Sequence, residues 1–171
     1  MSGNEIRQNV TLNIIKLESF EDSELYALEL EQLDVRDSED MMTMGRRYLG
    51  YFYVTKTNIY RIPIYDYNGF TEEQNQAIID LIKQDEETFF EMSHIVCNVE
   101  GVEDSLDEQG YHSGVKKEGS KRIFYYYNDD MSGTKDYEEI VWEREKGIIY
   151  YKRGAGSMKM HIEFGVDLEE N

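Results

Sequence analysis

A chain of 171 residues is typically one domain, and at this length it buries roughly two-thirds of its unfolded surface. It carries 36 acidic and 18 basic residues, a formal net charge of −18. This excess argues against nucleic acid as a ligand, because affinity for phosphate depends on Lys and Arg.

Cys97 is the sole cysteine, which excludes an intrachain disulfide and favours a reducing compartment. The first residues do not resemble a signal peptide, and no stretch approaches the ~18 apolar residues of a spanning helix. We therefore expect a cytoplasmic protein with no membrane contact.

The negative charge is concentrated in two segments. Residues 1–45 hold 11 acidic and 3 basic residues, and residues 71–110 hold 12 and 1. Residues 46–70 are instead basic, with 1 acidic and 4 basic residues. Residues 111–171 are nearly balanced, with 12 acidic and 10 basic residues. Such a local excess indicates either a means of staying soluble or a surface for a basic partner.

Two hairpins are predicted in the first third of the chain. Apolar residues alternate around positions 10–14 and 26–30, which is typical of half-buried strands, and an acidic turn at 21–23 joins them. Residues 48–55 and 58–64 alternate again around a short connection at 56–57. Because Pro63 has no backbone donor, the second strand of this hairpin should end there or lie at a sheet edge.

A long helix is predicted from Thr71 onward. Thr71 and Gln74 have the spacing of a capping box, which satisfies free amides at a helix start. The apolar face includes Ile78, Ile82 and Phe89, and the polar face includes Glu73, Asp80 and Glu87. Acids at positions 85 and 86 interrupt the apolar side, so we expect the helix to loosen there.

The rest of the chain is predicted to be mainly strand. Residues 95–99 form a short strand, and residues 122–127, 137–144, 148–152 and 158–164 form a four-strand meander. Between them, residues 100–120 have few apolar side chains, which predicts a long surface loop that passes from acidic to basic. We therefore expect one α+β domain spanning residues 1–171. It should be a strongly bent antiparallel sheet or partial barrel of about eight or nine strands, with one long helix packed on it.

Oxygen-bearing side chains between residues 128 and 139 have the spacing of an EF-hand calcium loop. Positions 1, 3, 5, 9 and 12 of that loop would be Asn128, Asp130, Ser132, Asp136 and Glu139, with glycine at position 6. Position 1 lacks the usual carboxylate, and the flanks are predicted strands where an EF-hand has helices. We therefore expect a polar hairpin loop that binds no metal.

No residue pattern points to catalysis or to a cofactor. His94 and Cys97 lie three apart in a predicted strand, so they fall on opposite faces and cannot ligate one ion together. Carboxylates are so numerous that no pair stands out as a general acid and base. We therefore nominate no catalytic residue and expect no cofactor.

Three classes of function remain open from the sequence. The leading hypothesis is a non-enzymatic acidic binding protein, inhibitor-like or immunity-like, that engages a basic protein. Its partner-binding residues would be Glu73, Asp80, Glu87, Glu103, Asp104, Asp107 and Glu108. The alternative is a barrel-like carrier that holds a small ligand in a tyrosine-rich cavity, since the chain has 14 tyrosines. An enzyme is the third class, and the sequence does not indicate an oligomeric state.

Overall fold

The computed structural model describes residues 11–31, 48–64, 69–107, 110–128, 137–155 and 158–165. Within these ranges the chain forms eleven strands and two short helices. In chain order they are β1 Thr11–Ser19, β2 Glu24–Glu31, β3 Tyr48–Val54, β4 Asn58–Ile62, α1 Glu72–Gln84, α2 Glu86–Glu91, β5 His94–Asn98, β6 Val102–Leu106, β7 Tyr111–Glu118, β8 Lys121–Asn128, β9 Tyr137–Glu143, β10 Gly147–Ala155 and β11 Met158–Gly165.

The strands form two antiparallel sheets, so the predicted fold class is wrong. One sheet has the order β1-β2-β3-β4-β5 and the other has the order β11-β10-β9-β8-β7-β6. Neither sheet closes into a barrel within the described ranges, and the described helices are two short ones rather than one long one. The molecule is therefore mainly β.

Contacts along the chain group into two compact units. The first unit comprises Met1–Val54 and Ile62–Ser93, and the second comprises Thr55–Arg61 and His94–Asn171. The prediction of one domain stays a prediction.

The first unit packs its helices against strand β3, whose side chains are almost all buried. The Tyr53 hydroxyl donates to Glu86 Oε1 at 2.8 Å, and the Tyr51 hydroxyl donates to Asn75 Oδ1 at 2.9 Å. The Tyr53 ring also meets the fully buried Phe89 ring edge-on, with centroids 5.3 Å apart. Because burial disfavours the phenolate, the pKa of Tyr51 rises to about 12.

Both predicted hairpins of the first third are confirmed. Strands β1 and β2 pair through the acidic turn, where the Phe20 amide donates to the Ser23 carbonyl at 2.8 Å. Strand β4 ends at Ile62, immediately before Pro63. Gly50 in β3 has φ of +120°, and a Cβ there would lie only 2.3 Å from the Ile62 carbonyl oxygen. Glycine is therefore the residue that this close backbone approach tolerates.

The predicted helix begins as expected and ends early, at Asp85. The Thr71 side chain accepts from the Gln74 amide and the Gln74 side chain accepts from the Thr71 amide, which completes the predicted capping box. Asp85, with φ of −153°, ends α1 and at the same time caps α2 by accepting from the Thr88 amide at 3.1 Å. An Asp side chain competes for backbone amides in this way, so it divides the apolar stripe between two helices.

The second unit has the six-stranded sheet as its main layer, and the predicted meander is confirmed as β8 to β11. Strand β5 packs against β7 and β8, and buries Val96 completely. The core side chains of the sheet, Val115, Phe124, Ile140 and Tyr151, are all nearly inaccessible to solvent. Their neighbours along each strand point to the opposite face, because strand side chains alternate.

The segment 100–120 is not the expected long loop, since it contains all of β6 and all of β7. Strand β6 has exposed residues at all but one position, and it pairs with β7 at the edge of the sheet. Edge strands are often charged, because charge discourages pairing with another chain. A strand of this kind has too few apolar residues for a periodic pattern, and for that reason the sequence suggested a loop.

Candidate functional site

The acids predicted on the helix are exposed to solvent in the first unit. Glu73, Asp80 and Glu87 are all exposed, as expected. Every acidic residue between positions 71 and 93 shares that exposure, and we call this set the acidic helical surface: Glu72, Glu73, Asp80, Asp85, Glu86, Glu87 and Glu91. Lys83 is the sole basic residue in the stretch, and its Nζ is paired with Glu18 Oε2 at 2.7 Å. The negative charge of this surface is therefore uncompensated by its own segment.

The other predicted acids belong to the second unit, around the end of β6. Glu103, Asp104 and Asp107 are exposed, and Glu108 lies outside the described residues. Asp104 is already engaged: its Oδ2 lies 2.9 Å from His112 Nδ1, and its Oδ1 accepts from the Tyr125 hydroxyl at 3.0 Å. The His112 bond, followed by the Tyr125 bond, lowers the pKa of Asp104 despite some desolvation.

The suggested calcium loop is only partly within the described residues, since Asp130, Ser132 and Asp136 fall outside them. Asn128 is the last residue of β8, and Glu139 lies inside β9 opposite Tyr125. The flanks are thus strands, as expected, and not the helices of an EF-hand. Among the described residues, no group of three or more His, Cys, Asp or Glu is placed to hold a metal ion.

One face of the six-stranded sheet carries a groove rich in tyrosine. Its volume is about 290 Å³, and it is open to solvent along one side rather than enclosed. We call it the tyrosine groove and define it by six of its lining residues: Tyr125, Tyr127, Tyr137, Glu139, Tyr150 and Lys152. Strand pairing explains why they meet, because β9 lies between β8 and β10 and places Glu139 opposite both Tyr125 and Lys152.

Two lysines on this face rest on tyrosine rings. Lys116 Nζ lies 4.8 Å from the Tyr125 ring centroid, and Lys152 Nζ lies 5.4 Å from the Tyr137 ring centroid. Both distances fall within the roughly 6 Å of a cation–π contact. Tyr125 reaches across Gly114 of β7, where a Cβ would lie only 2.5 Å from the tyrosine oxygen. Glycine at this position therefore lets the ring lie flat and reach Asp104.

The opposite face of the same sheet holds a buried ion pair. Arg61 is fully buried and its Nη1 donates to Glu138 Oε2, while the Tyr151 hydroxyl donates to Glu138 Oε1 at 2.6 Å. Burial alone would raise the pKa of Glu138, but the charges of Arg61 and Arg153 outweigh it and lower that pKa. Both carboxylate oxygens of Glu138 are engaged within the core, which suits a structural role better than catalysis.

His94 and Cys97 lie in the same short strand, β5, and both are half-buried. The pairing of β5 with β4 shifts register between them, so the prediction that they fall on opposite faces, which assumed regular alternation, is not confirmed. Burial lowers the pKa of His94 and the nearby Arg61 charge lowers it further. Burial likewise raises the pKa of the Cys97 thiol, which opposes thiolate formation.

Sequence patterns missed both the tyrosine groove and the buried ion pair. Arg61 and Glu138 are 77 residues apart in the chain, and Glu138 is one of two adjacent acids, so alternation does not indicate which one is buried. The runs of tyrosine gave a partial signal for the groove. Since neighbouring strand residues alternate in direction, some tyrosines of β8 had to face away from the core.

Comparisons with models of known families, with curated proteins and with solved structures each return no match. In the described part of the chain, neither helix is long and apolar enough to cross a membrane. Function must therefore be inferred from the contacts and charges of this chain.

Proposed function

We propose that the protein is a non-enzymatic binding protein that engages a basic protein partner through the acidic helical surface. The observation that carries this proposal is the charge balance of residues 71–93. Seven exposed acids stand there against one lysine, and that lysine is paired with Glu18. A surface with this balance attracts a basic partner over distances of about a Debye length and orients its approach.

Exposed charges of this kind act mainly on the rate of encounter. Mutating charges at the rim of an interface typically changes the association rate and its salt dependence, and affects stability little. Glu73, Asp80 and Glu87 suit a test, because none of their side chains caps a helix by accepting from a backbone amide. Asp85 does not suit it, because its side chain caps α2.

The test compares two triple variants that lose the same charge. The first carries Glu73→Gln, Asp80→Asn and Glu87→Gln, and the control carries Glu21→Gln, Glu118→Gln and Glu145→Gln at exposed positions outside the helices. Proteins captured from native cells by the unmodified chain are purified, and their association rates are measured across a salt series.

We expect a captured basic protein to associate more slowly with the helix variant, and with a flatter salt dependence, than with the control variant. Equal rates for the two variants at every salt concentration would show that the acidic helical surface is not the contact. Capture of no basic protein would favour solubility as the role of the charge, and the proposal would then be abandoned.

A further inference from the structure

The tyrosine groove is a second candidate for binding, separate from the acidic helical surface. We propose that it binds a free small organic cation that carries an alkylammonium group, and that Lys152 occupies part of this site when no ligand is bound. The proposal stands on four observations: the half-buried tyrosine rings, the resident lysines, the carboxylate of Glu139 and the net charge of the chain.

The ring faces of tyrosine attract cations because the π system places negative charge above and below the ring. The protein already shows this attraction twice on the same sheet face. Lys116 lies over Tyr125 and Lys152 lies over Tyr137, at 4.8 and 5.4 Å from the ring centroids. Several half-buried tyrosines around one groove form the arrangement by which proteins recognise ammonium groups.

Glu139 supplies a carboxylate in the same groove. Strand register places it directly opposite Lys152, yet Lys152 Nζ lies over the Tyr137 ring instead. Among the ion pairs of the described residues, none includes Glu139. A half-buried carboxylate beside tyrosine rings is complementary to a bound ammonium group, which would gain an ion pair and ring contacts together.

The charge of the whole chain favours a cation over an anion. Lys152 and the tyrosine hydroxyls could in principle hold a carboxylate or phosphate. A formal net charge of −18, however, lowers the local concentration of anions and raises that of cations. The groove volume of about 290 Å³ suits a small group, since ligand pockets typically span roughly 300–1,000 Å³.

Lys152 makes the proposal sharply testable, because it is both a resident cation and a repulsive charge. A ligand must displace its ammonium from Tyr137 and then bind beside it. Lys152→Met keeps the aliphatic stem and removes the charge, so it should tighten cation binding by at least about threefold, the equivalent of one exposed cation–π contact. Glu139→Gln should weaken binding instead.

The experiment titrates the full chain with tetramethylammonium chloride and follows tyrosine ring resonances by NMR, with sodium chloride at equal ionic strength as the reference. We expect saturable shifts in the unmodified chain, tighter binding for Lys152→Met and weaker binding for Glu139→Gln. Glu145→Gln removes one exposed charge in the turn after β9, and should behave as the unmodified chain does.

Shifts that match sodium chloride in both the unmodified chain and Lys152→Met would overturn the proposal. Saturable shifts with sodium acetate that are lost in Lys152→Met would overturn it too, and would assign the groove to anions. Because the probe carries no partner protein, either result leaves the proposal for the acidic helical surface untouched, and failure of that proposal leaves the groove untouched.

Discussion

At the scale of single residues, the buried pair of Arg61 and Glu138 in the second unit is costly to desolvate. Moving Arg61 and Glu138 out of water carries a desolvation penalty of several kcal/mol for each charge. The pair offsets that penalty only while both charges are present and the Glu138 oxygens are bonded, one to Arg61 and one to Tyr151. Replacing one partner is therefore expected to lower the free energy of unfolding more than replacing both partners with apolar residues.

Glu138→Gln tests this expectation, because it leaves the Arg61 charge buried without its counter-ion. We expect a loss of about 3–5 kcal/mol in the free energy of unfolding, measured by urea denaturation. The control is Glu139→Gln, the next residue along β9, which faces the tyrosine groove and should lose less than about 0.5 kcal/mol. A double variant, Arg61→Met with Glu138→Leu, should recover part of the loss. Equal urea midpoints for Glu138→Gln and Glu139→Gln would contradict the prediction.

His94 is a half-buried residue whose charged form the fold disfavours. Its ring packs against the rings of Phe124 and Tyr126, with centroids 6.2 and 5.1 Å away. Burial lowers its pKa most, the charge of Arg61 lowers it further, and the charges of Glu138 and Asp107 act in the opposite direction. The neutral imidazole is thus the form that the folded chain accommodates.

Stability should therefore fall as the pH drops below about 6.5, the ordinary pKa of histidine. The pKa of His94 is depressed in the folded chain, so the unfolded chain binds a proton first and is favoured as the pH falls toward the folded pKa. In His94→Gln, the loss of stability between pH 6.5 and 5 should be smaller than in the unmodified chain. Urea midpoints measured at half-unit pH intervals provide the comparison, and parallel curves for the two proteins would contradict it.

At the scale of elements, Asp85 decides how the helical segment is arranged. Asp85 both ends α1 and caps α2, so Phe89 belongs to the second helix. It therefore does not continue one apolar stripe along a single long helix. Ile82 and Phe89 are nevertheless both buried, while Ile78 is only half-buried. The expected apolar face is thus correct at Ile82 and Phe89 and only partly so at Ile78.

Replacing Ile82 by Ala should cost about 2–5 kcal/mol, from lost transfer free energy and from the cavity left behind. Ile78→Ala removes the same atoms from a half-buried position, and should cost clearly less. Thermal melts of the two variants measure the difference. If Ile78→Ala proved the more destabilising, the assignment of Ile82 to the packed face would be wrong.

Much of the fold at this scale follows from sequence, and the failures have physical causes. Capping residues and turns act locally, so the capping box at Thr71, the hairpin turns and the strand end before Pro63 were predictable. Strand β6 was not, because an edge strand needs no apolar stripe. The separation into two sheets also escaped prediction, since it depends on pairing between strands far apart in the chain.

The candidate sites could likewise be predicted from the sequence only where local patterns decide them. Exposure of Glu73, Asp80 and Glu87 follows from helical periodicity and is confirmed. The tyrosine groove depends on three strands meeting in one register, and a shift of one residue in β9 would turn Glu139 away from it. Sequence alone therefore indicated that tyrosines matter without indicating which of them meet.

At the scale of the whole molecule, the charge of −18 is a cost to the folded state as well as an aid to solubility. Like charges repel more strongly in the compact chain than in the unfolded one. The described ion pairs at the surface do little against this, because pairs such as Lys16 with Glu24 and Lys117 with Glu100 are exposed. Repulsion rather than attraction should dominate the response to salt.

Raising sodium chloride from roughly 0.02 to 0.5 M should therefore raise the melting temperature by a few degrees, because it screens the repulsion. The variant with Glu73→Gln, Asp80→Asn and Glu87→Gln, whose net charge is −15 after three acids are removed from −18, should show a smaller rise. Scanning calorimetry across the salt range measures the melting temperatures of the unmodified chain and of the triple variant. A melting temperature that falls with salt would mean that attractive ion pairs dominate.

The flat position of Tyr125 has a mechanical consequence for the edge of the six-stranded sheet. The ring starts on β8, crosses Gly114 of β7 and ends in a hydrogen bond to Asp104 of β6. It thereby fastens the outermost strand to its second neighbour as well as to its first. Strand β6 cannot fray away from the sheet edge without also releasing a side chain of β8. Opening of this edge, and the hydrogen exchange that it allows, should therefore be a joint event of three strands rather than the peeling of one.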